Sequence, residues 1–201
     1  MPHAYRPTVH YPRSGPRDPA LASDFAFIGT AFKSRVDFFE QLDLDGIDTL
    51  IAGNDWGKVG EDSPVAPHIA TGAGNEADCI DNPRTAELYR HSRIGLNLYR
   101  REAEKTWNGE ATAISPREVE MAACGLPFLR DPRAEGDEVL GMLPLFHDPG
   151  EASGQLHYWL AHDASREAIA ARAREAIAGR TFEANARRLL GLIEALPARA
   201  Y

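Results

Sequence analysis

Ser115-Pro116-Arg117-Glu118-Val119-Glu120-Met121-Ala122-Ala123-Cys124-Gly125-Leu126-Pro127-Phe128-Leu129 is the stretch that decides the fold. Ser115 suits an N-cap, Pro116 suits the first helical position, and Gly125 suits the left-handed residue that closes a helix. The apolar run that follows at once reads as a buried strand. A helix set between two parallel strands points its amino end and first-turn side chains into the crevice where open α/β sheets bind ligands. Arg117 and Glu120 are three residues apart and share a face. A guanidinium can fork onto a phosphate, and a carboxylate can accept from both hydroxyls of a ribose. Together they suit a nucleoside diphosphate.

Working outward, Phe25–Ile28, Thr49–Ala52, Ile94–Leu98, Leu126–Leu129 and Leu143–Phe146 are short apolar runs of the kind found in buried parallel strands. Helical stretches are expected at Ser34–Leu44, Pro83–Ser92, Pro116–Cys124, Glu135–Leu140, Glu151–His162, Ser165–Ala178 and Phe182–Leu196. Strands alternating with helices predict an α/β fold, a Rossmann-like doubly wound parallel sheet of about five strands with C-terminal helices. If so, Gly29, Gly53, Tyr99, Ser115 and Asp131 follow strands and line one edge. Residues 1–23 carry five prolines with almost no apolar periodicity, which predicts an extended arm or hinge before a domain spanning 24–201. The glycine- and proline-containing stretch 53–81 reads as a long, lid-like loop.

The 201 residues are 43% hydrophobic and 26% charged, the range of one globular domain with a sizeable core. A net charge of −8, with no Lys/Arg cluster larger than a pair, argues against a nucleic-acid or anionic-membrane surface. Cys79 and Cys124, far apart, read as reduced thiols. No apolar run has the length of a membrane span, and the first residues lack a signal-peptide core, so a cytoplasmic location is expected. The seven histidines show no metal-ligand spacing and no G-x-S-x-G elbow is present, so no metal and no serine hydrolase triad is expected.

Glu120-Met-Ala-Ala-Cys-Gly-Leu-Pro127 resembles the "E-A-x-A-C-G-x-P" end of the nucleotide-sugar site in GT-B glycosyltransferases. Arg117 before it resembles the "R-x-x-E" of the CgeB/YkvP-type group 1 glycosyltransferases. Asp24-Phe-Ala-Phe-Ile-Gly29-Thr30 followed by Arg35 is similar to the family's "D-V-x-F-V-G-T…R". Leu88-Tyr89 through Ile94-Gly-Leu-Asn97 is similar to "L-Y…A-R-I-x-L-N", and Arg180-Thr-Phe-Glu183 with Arg187 resembles the terminal "H-T-Y-x-x-R" helix. The matches run in order over about residues 20–195. They imply the carboxyl-terminal, donor-binding half of a GT-B enzyme. No stretch resembles the acceptor half, and the first residues look like the family's interdomain hinge. One position departs: where the wider group has a glutamate eight residues before Glu120, this chain has Thr112, with Glu110 nearby.

The resemblance implies that Gly29, Thr30, Arg35, Trp56, Tyr99, Ser115, Arg117 and Glu120 bind the donor nucleotide-sugar. Arg117 and Arg35 would hold the diphosphate, Glu120 the ribose, and the 112–116 loop the sugar. Each has a plainer reading. Glu120 also fits an exposed carboxylate favoured by the helix dipole, Arg117 and Arg35 fit solvated arginines, and Gly29 fits an ordinary strand end. Trp56, in a "G-x-x-W" context, could stack on the base or simply pack against the sheet end. Asn97, in an otherwise apolar strand, needs a polar partner. The expected function is sugar transfer from a nucleotide diphosphate-sugar, with no cofactor beyond that donor, no nameable catalytic base, and a partner that is an acceptor-binding half or a second copy. A non-catalytic nucleotide- or sugar-binding module of the same fold is the alternative, and a different Rossmann-like enzyme matched by its punctuation alone is the third.

Overall fold

The computed structural model describes residues 1–70, 80–102 and 111–196. Four parallel strands, β1 (Ser23–Ile28), β2 (Thr49–Ala52), β3 (Ser92–Asn97) and β4 (Phe128–Arg130), form one sheet in the order β2-β1-β3-β4. The register pairs Ile28 with Ala52 and Asn97 with Arg130, so the strands finish together and their carboxyl ends make one edge. The run 143–146, expected as a fifth strand, makes only a single parallel bridge from Leu145 to Arg130. Pro144 has no amide to donate, and the chain turns at Asp148, whose side chain caps the next helix by accepting from the Glu151 amide.

Side chains alternate along β1, and each face meets its own helices. Phe25 and Phe27 pack with Ile94 and Leu96 of β3 and with Phe39, Phe146 and Leu156, which lie on or beside α1 (Lys33–Phe39) and α5 (Pro149–Ala161). Ile28 belongs to the opposite cluster, with residues of α2 (Asn82–His91), α3 (Pro116–Ala123), α4 (Ala134–Leu140) and α6 (Asp163–Ala176). The sheet is thus covered on both sides, as a doubly wound fold requires. The first helix stops at Phe39, earlier than Leu44, because Phe39 turns into the core and the chain continues through tighter bonds from Gln41 to Phe38 and Leu42 to Phe39.

Gly95 sets the height of α3 over the sheet. A Cβ there would stand 2.8 Å from Met121 Sδ and 3.0 Å from Leu126 Cδ2. The last helix, α7 (Phe182–Glu194), contributes no buried residue, and Phe182, Leu189, Leu190, Leu192 and Ile193 are all exposed. The proline-rich start is anchored beside it: Tyr5 bonds Arg180 and Phe182 through its backbone, and Asn185 donates to the Pro2 carbonyl. Within 53–81, short 3-10 turns occupy Trp56–Lys58 and Ala66–His68, and residues 71–79, with Cys79, lie outside the described residues.

Candidate donor crevice at the carboxyl edge of the sheet

Ser115 and Glu118 build the entrance to α3. Ser115 Oγ accepts from the Glu118 amide at 3.3 Å while the Glu118 carboxylate accepts from the Ser115 amide at 2.6 Å, a reciprocal capping box. Ser115 Oγ also donates to Asn97 Oδ1 at 3.0 Å, which ties the helix start to the end of β3 and gives the strand asparagine's oxygen a partner, while its buried Nδ2 has none among the described residues. Glu118 is fully buried and accepts a short hydrogen bond from the Tyr99 hydroxyl. Its burial holds the carboxyl above its ordinary pKa, against the pull of the Tyr99 and Ser115 bonds. The phenol of Tyr99 is pushed up by burial and by Glu118.

Tyr99 is further fixed through its amide, which donates to Asp131 Oδ2 at 3.0 Å, and by Arg133, whose guanidinium lies 4.0 Å from the ring centroid. Asp131, nearly inaccessible, also takes Arg101 Nη2 at 2.7 Å. Gly29, Gly53, Tyr99, Ser115 and Asp131 therefore gather at one edge.

Arg35 is placed differently from a free phosphate ligand. It is 5% exposed, its Nε and Nη2 donate to the Leu98 carbonyl at 3.1 and 2.8 Å, and its Nη1 donates to the Thr30 carbonyl at 3.0 Å. Burial and the neighbouring Arg117 and Arg100 lower its pKa to about 10. It braces the loop after β1 against the end of β3. Trp56 requires a correction: its indole is wholly buried against Phe27 and Phe39, with Nε1 donating to the Gly29 carbonyl at 2.7 Å. No ring face is left for a base, and its role is packing. Opposite it, Gly53 has φ +124°, and a Cβ there would stand 2.7 Å from the Gly29 carbonyl carbon.

Arg117 is half-buried and makes no hydrogen bond or ion pair among the described residues. It lies within electrostatic reach of both Arg35 and Glu120. Helical side chains lean toward the amino end, so Glu120 points back toward the crevice from the second turn. Burial raises the Glu120 pKa, partly offset by Arg117. Sequence reasoning missed its neighbour His10. The Nδ1 of this buried histidine accepts from the Arg6 amide at 3.3 Å, so Nε2 carries the proton and faces Glu120 Oε1 at 3.9 Å. Nothing local marks a histidine in a proline-rich arm for that place. The capping role of Glu118 was legible in Ser115-x-x-Glu118.

A family model described as glycosyl transferase-like matches residues 35–191, more than half of the chain. The chain belongs to this glycosyl transferase-like family. Comparison with curated protein sequences gives no match. Among solved structures, the chain is similar to sucrose-phosphate synthase from Thermosynechococcus elongatus, at 13% identity and a TM-score of 0.68, covering 96% of this chain and 51% of that one. It is similar to an E. coli structure described as trehalose-6-phosphate bound with UDP-2-fluoro glucose, at 13% identity and 0.64, covering 98% and 51%. The C-terminal domain of a group 1 glycosyl transferase, LpcC, from Francisella tularensis aligns at 14% identity and 0.57, covering 88% of this chain and 97% of that domain. At such identities the likeness is one of fold, the Rossmann-like half of a GT-B glycosyltransferase. The glycosyl transferase-like chain spans about half the length of the first and second of these structures. Among its described residues no helix is long and apolar enough to cross a membrane, and no cluster of side chains could hold a metal.

Proposed function

We propose that this chain is the donor-binding half of a CgeB/YkvP-type glycosyltransferase, binding a nucleotide diphosphate-sugar for transfer to an acceptor held by another half. The observation that carries the reading is the pairing of Arg117 and Glu120 on one face of α3, in electrostatic reach of each other at the carboxyl edge. Arg117 and the amino end of α3 face the diphosphate, and Glu120, with His10 beside it at 3.9 Å, takes the ribose hydroxyls. Gly29 and Thr30 bring backbone close to the phosphates, while Arg35, Tyr99 and Ser115 hold that geometry from behind. Stabilising a departing diphosphate by such preorganised charge is the protein's main contribution to this chemistry. No cofactor beyond the donor enters.

The acceptor half would cover the exposed apolar side of α7, where the family resemblance puts the interdomain contact. In this reading the protein works in the cytoplasm, where nucleotide-sugars serve as donors. Thr112, standing where the wider group has a glutamate, favours a second reading, a binding module without turnover. Turnover of a nucleotide-sugar in the presence of an acceptor half separates the two.

Calorimetric titration with nucleoside diphosphates and with inorganic pyrophosphate tests the assignment. The wild-type chain prefers the nucleotide, and Glu120→Ala binds the two alike because only the ribose contact is lost. No binding of any common nucleoside diphosphate at millimolar concentration would overturn the proposal.

A further inference from the structure

The opposite edge of the sheet carries a second site. A cavity of about 150 Å³ opens where Ser92 begins β3 and Pro127 leads into β4, and Arg13, Arg17, Arg90, Arg93 and Arg166 all line it. Six residues of β3, rising about 3.3 Å each, put this edge roughly 17 Å from the donor crevice. In a chain of net charge −8, five guanidinium groups around one small space are unexpected. Mutual repulsion has to be offset by something.

The described carboxylates offset only part of it. Arg93 pairs with Asp24 and Asp163 at 2.7 and 2.8 Å, and Arg166, 3% exposed, pairs with Asp163 at 2.6 Å. Arg90 is held by the Val9 carbonyl at 3.0 Å and by the Tyr11 ring, neither of which neutralises it. Among the described residues no carboxylate pairs with Arg13, Arg17 or Arg90, and Glu167 is the one acidic side chain lining the cavity. Burial, then Arg13, Arg166 and Arg93, hold Arg17 below its ordinary pKa, with Asp163 opposing the shift. The arm is positioned to deliver its two arginines: Pro12 seats against Gly125, where a Cβ would stand 3.2 Å from Pro12 Cβ, and Gly15 turns the chain between Arg13 and Arg17 at φ +90°.

We propose that this amino-edge cavity binds a small anion bearing a phosphoryl group, separately from the donor crevice. Guanidinium forks match phosphoryl oxygens bidentately. The volume, about five times the roughly 30 Å³ share of a water molecule, admits one such group and is well below the ~300–1,000 Å³ of pockets for drug-sized ligands. Because arm, α2, α6 and the strand starts all contribute, an occupied site would fasten the arm to the domain.

The test is calorimetric titration of the whole chain with inorganic phosphate, against sodium chloride at equal ionic strength. Saturable phosphate binding is expected, weakened at least tenfold in Arg13→Ala/Arg17→Ala and unchanged in Arg84→Ala. Arg13 and Arg17 make no hydrogen bond or ion pair among the described residues, so the double variant keeps the fold. Independently, phosphate should protect arginines of the wild-type arm from phenylglyoxal. Binding that chloride reproduces, or that Arg117→Ala abolishes while the arm variant does not, would overturn the proposal. So would binding of phosphatidic-acid vesicles through these arginines with no response to free phosphate.

Discussion

Substituting Gly53 by alanine should loosen the carboxyl edge of the sheet. Gly53 has φ +124°, a backbone region that costs an L-residue about 1–3 kcal/mol. The added methyl would also stand 2.7 Å from the Gly29 carbonyl carbon and 3.0 Å from its nitrogen, both backbone atoms that cannot rotate away. Forcing a methyl into such a space costs about 1–3 kcal/mol more. The Gly29 carbonyl is the acceptor for buried Trp56, and the Gly29 amide donates to Ala52 at 2.8 Å, so any retreat disturbs the β1–β2 pairing and the indole together. Summed, the loss is about 2–6 kcal/mol. For a chain of this size, about 4 kcal/mol corresponds to roughly 8–16 °C in midpoint. Urea and thermal unfolding of Gly53→Ala would be compared with Gly60→Ala, where nothing lies within 4 Å of the added methyl and a change within about 0.5 kcal/mol is expected. A Gly53→Ala protein within about 1 kcal/mol of Gly60→Ala would refute the reasoning, since the two strand ends would then not be held in close contact.

Nucleoside diphosphate affinity should fall on mild acidification, because burial raises the Glu120 pKa and only the carboxylate form accepts from both ribose hydroxyls. The sign is that binding is present above this raised pKa and is lost as pH drops through it. Glu120→Gln should flatten the profile in a calorimetric pH series. The Cys124 thiol, pushed up to about 12 by burial, would be only about one part in ten thousand thiolate at pH 8. In a Cys79→Ser background it should resist iodoacetamide until the chain is unfolded, as mass spectrometry would show.

Much of the crevice was legible because its punctuation is local. Ser115, Pro116 and Gly125 mark a helix by backbone chemistry that needs no tertiary partner, and the structure has that helix at Pro116–Ala123. Strand ends could be placed for the same reason, since apolar runs stop where the sheet stops. What escaped depends on distance in sequence. Arg35 and Arg117 look alike as helix arginines. Only the fold shows that the first is consumed by the carbonyls of Thr30 and Leu98 while the second stays clear of protein acceptors among the described residues. Trp56 carried two readings that only burial could separate. The run 143–146 has the apolar character of a strand, but Pro144 and the helix cap at Asp148 leave it a single bridge. Glu120, which faces His10, and the arginines that share a cavity with Arg13 and Arg17 lie far along the sequence, beyond any periodicity.

The most direct measurement is backbone chemical-shift mapping of the whole chain on adding a nucleoside diphosphate. The account predicts changes concentrated at Gly29–Thr30, Tyr99 and Ser115–Glu120, with the Glu120→Ala protein losing the changes along α3. Changes centred instead on Ser92, Pro127 and the arm, or none at millimolar nucleotide, would contradict the donor-site reading.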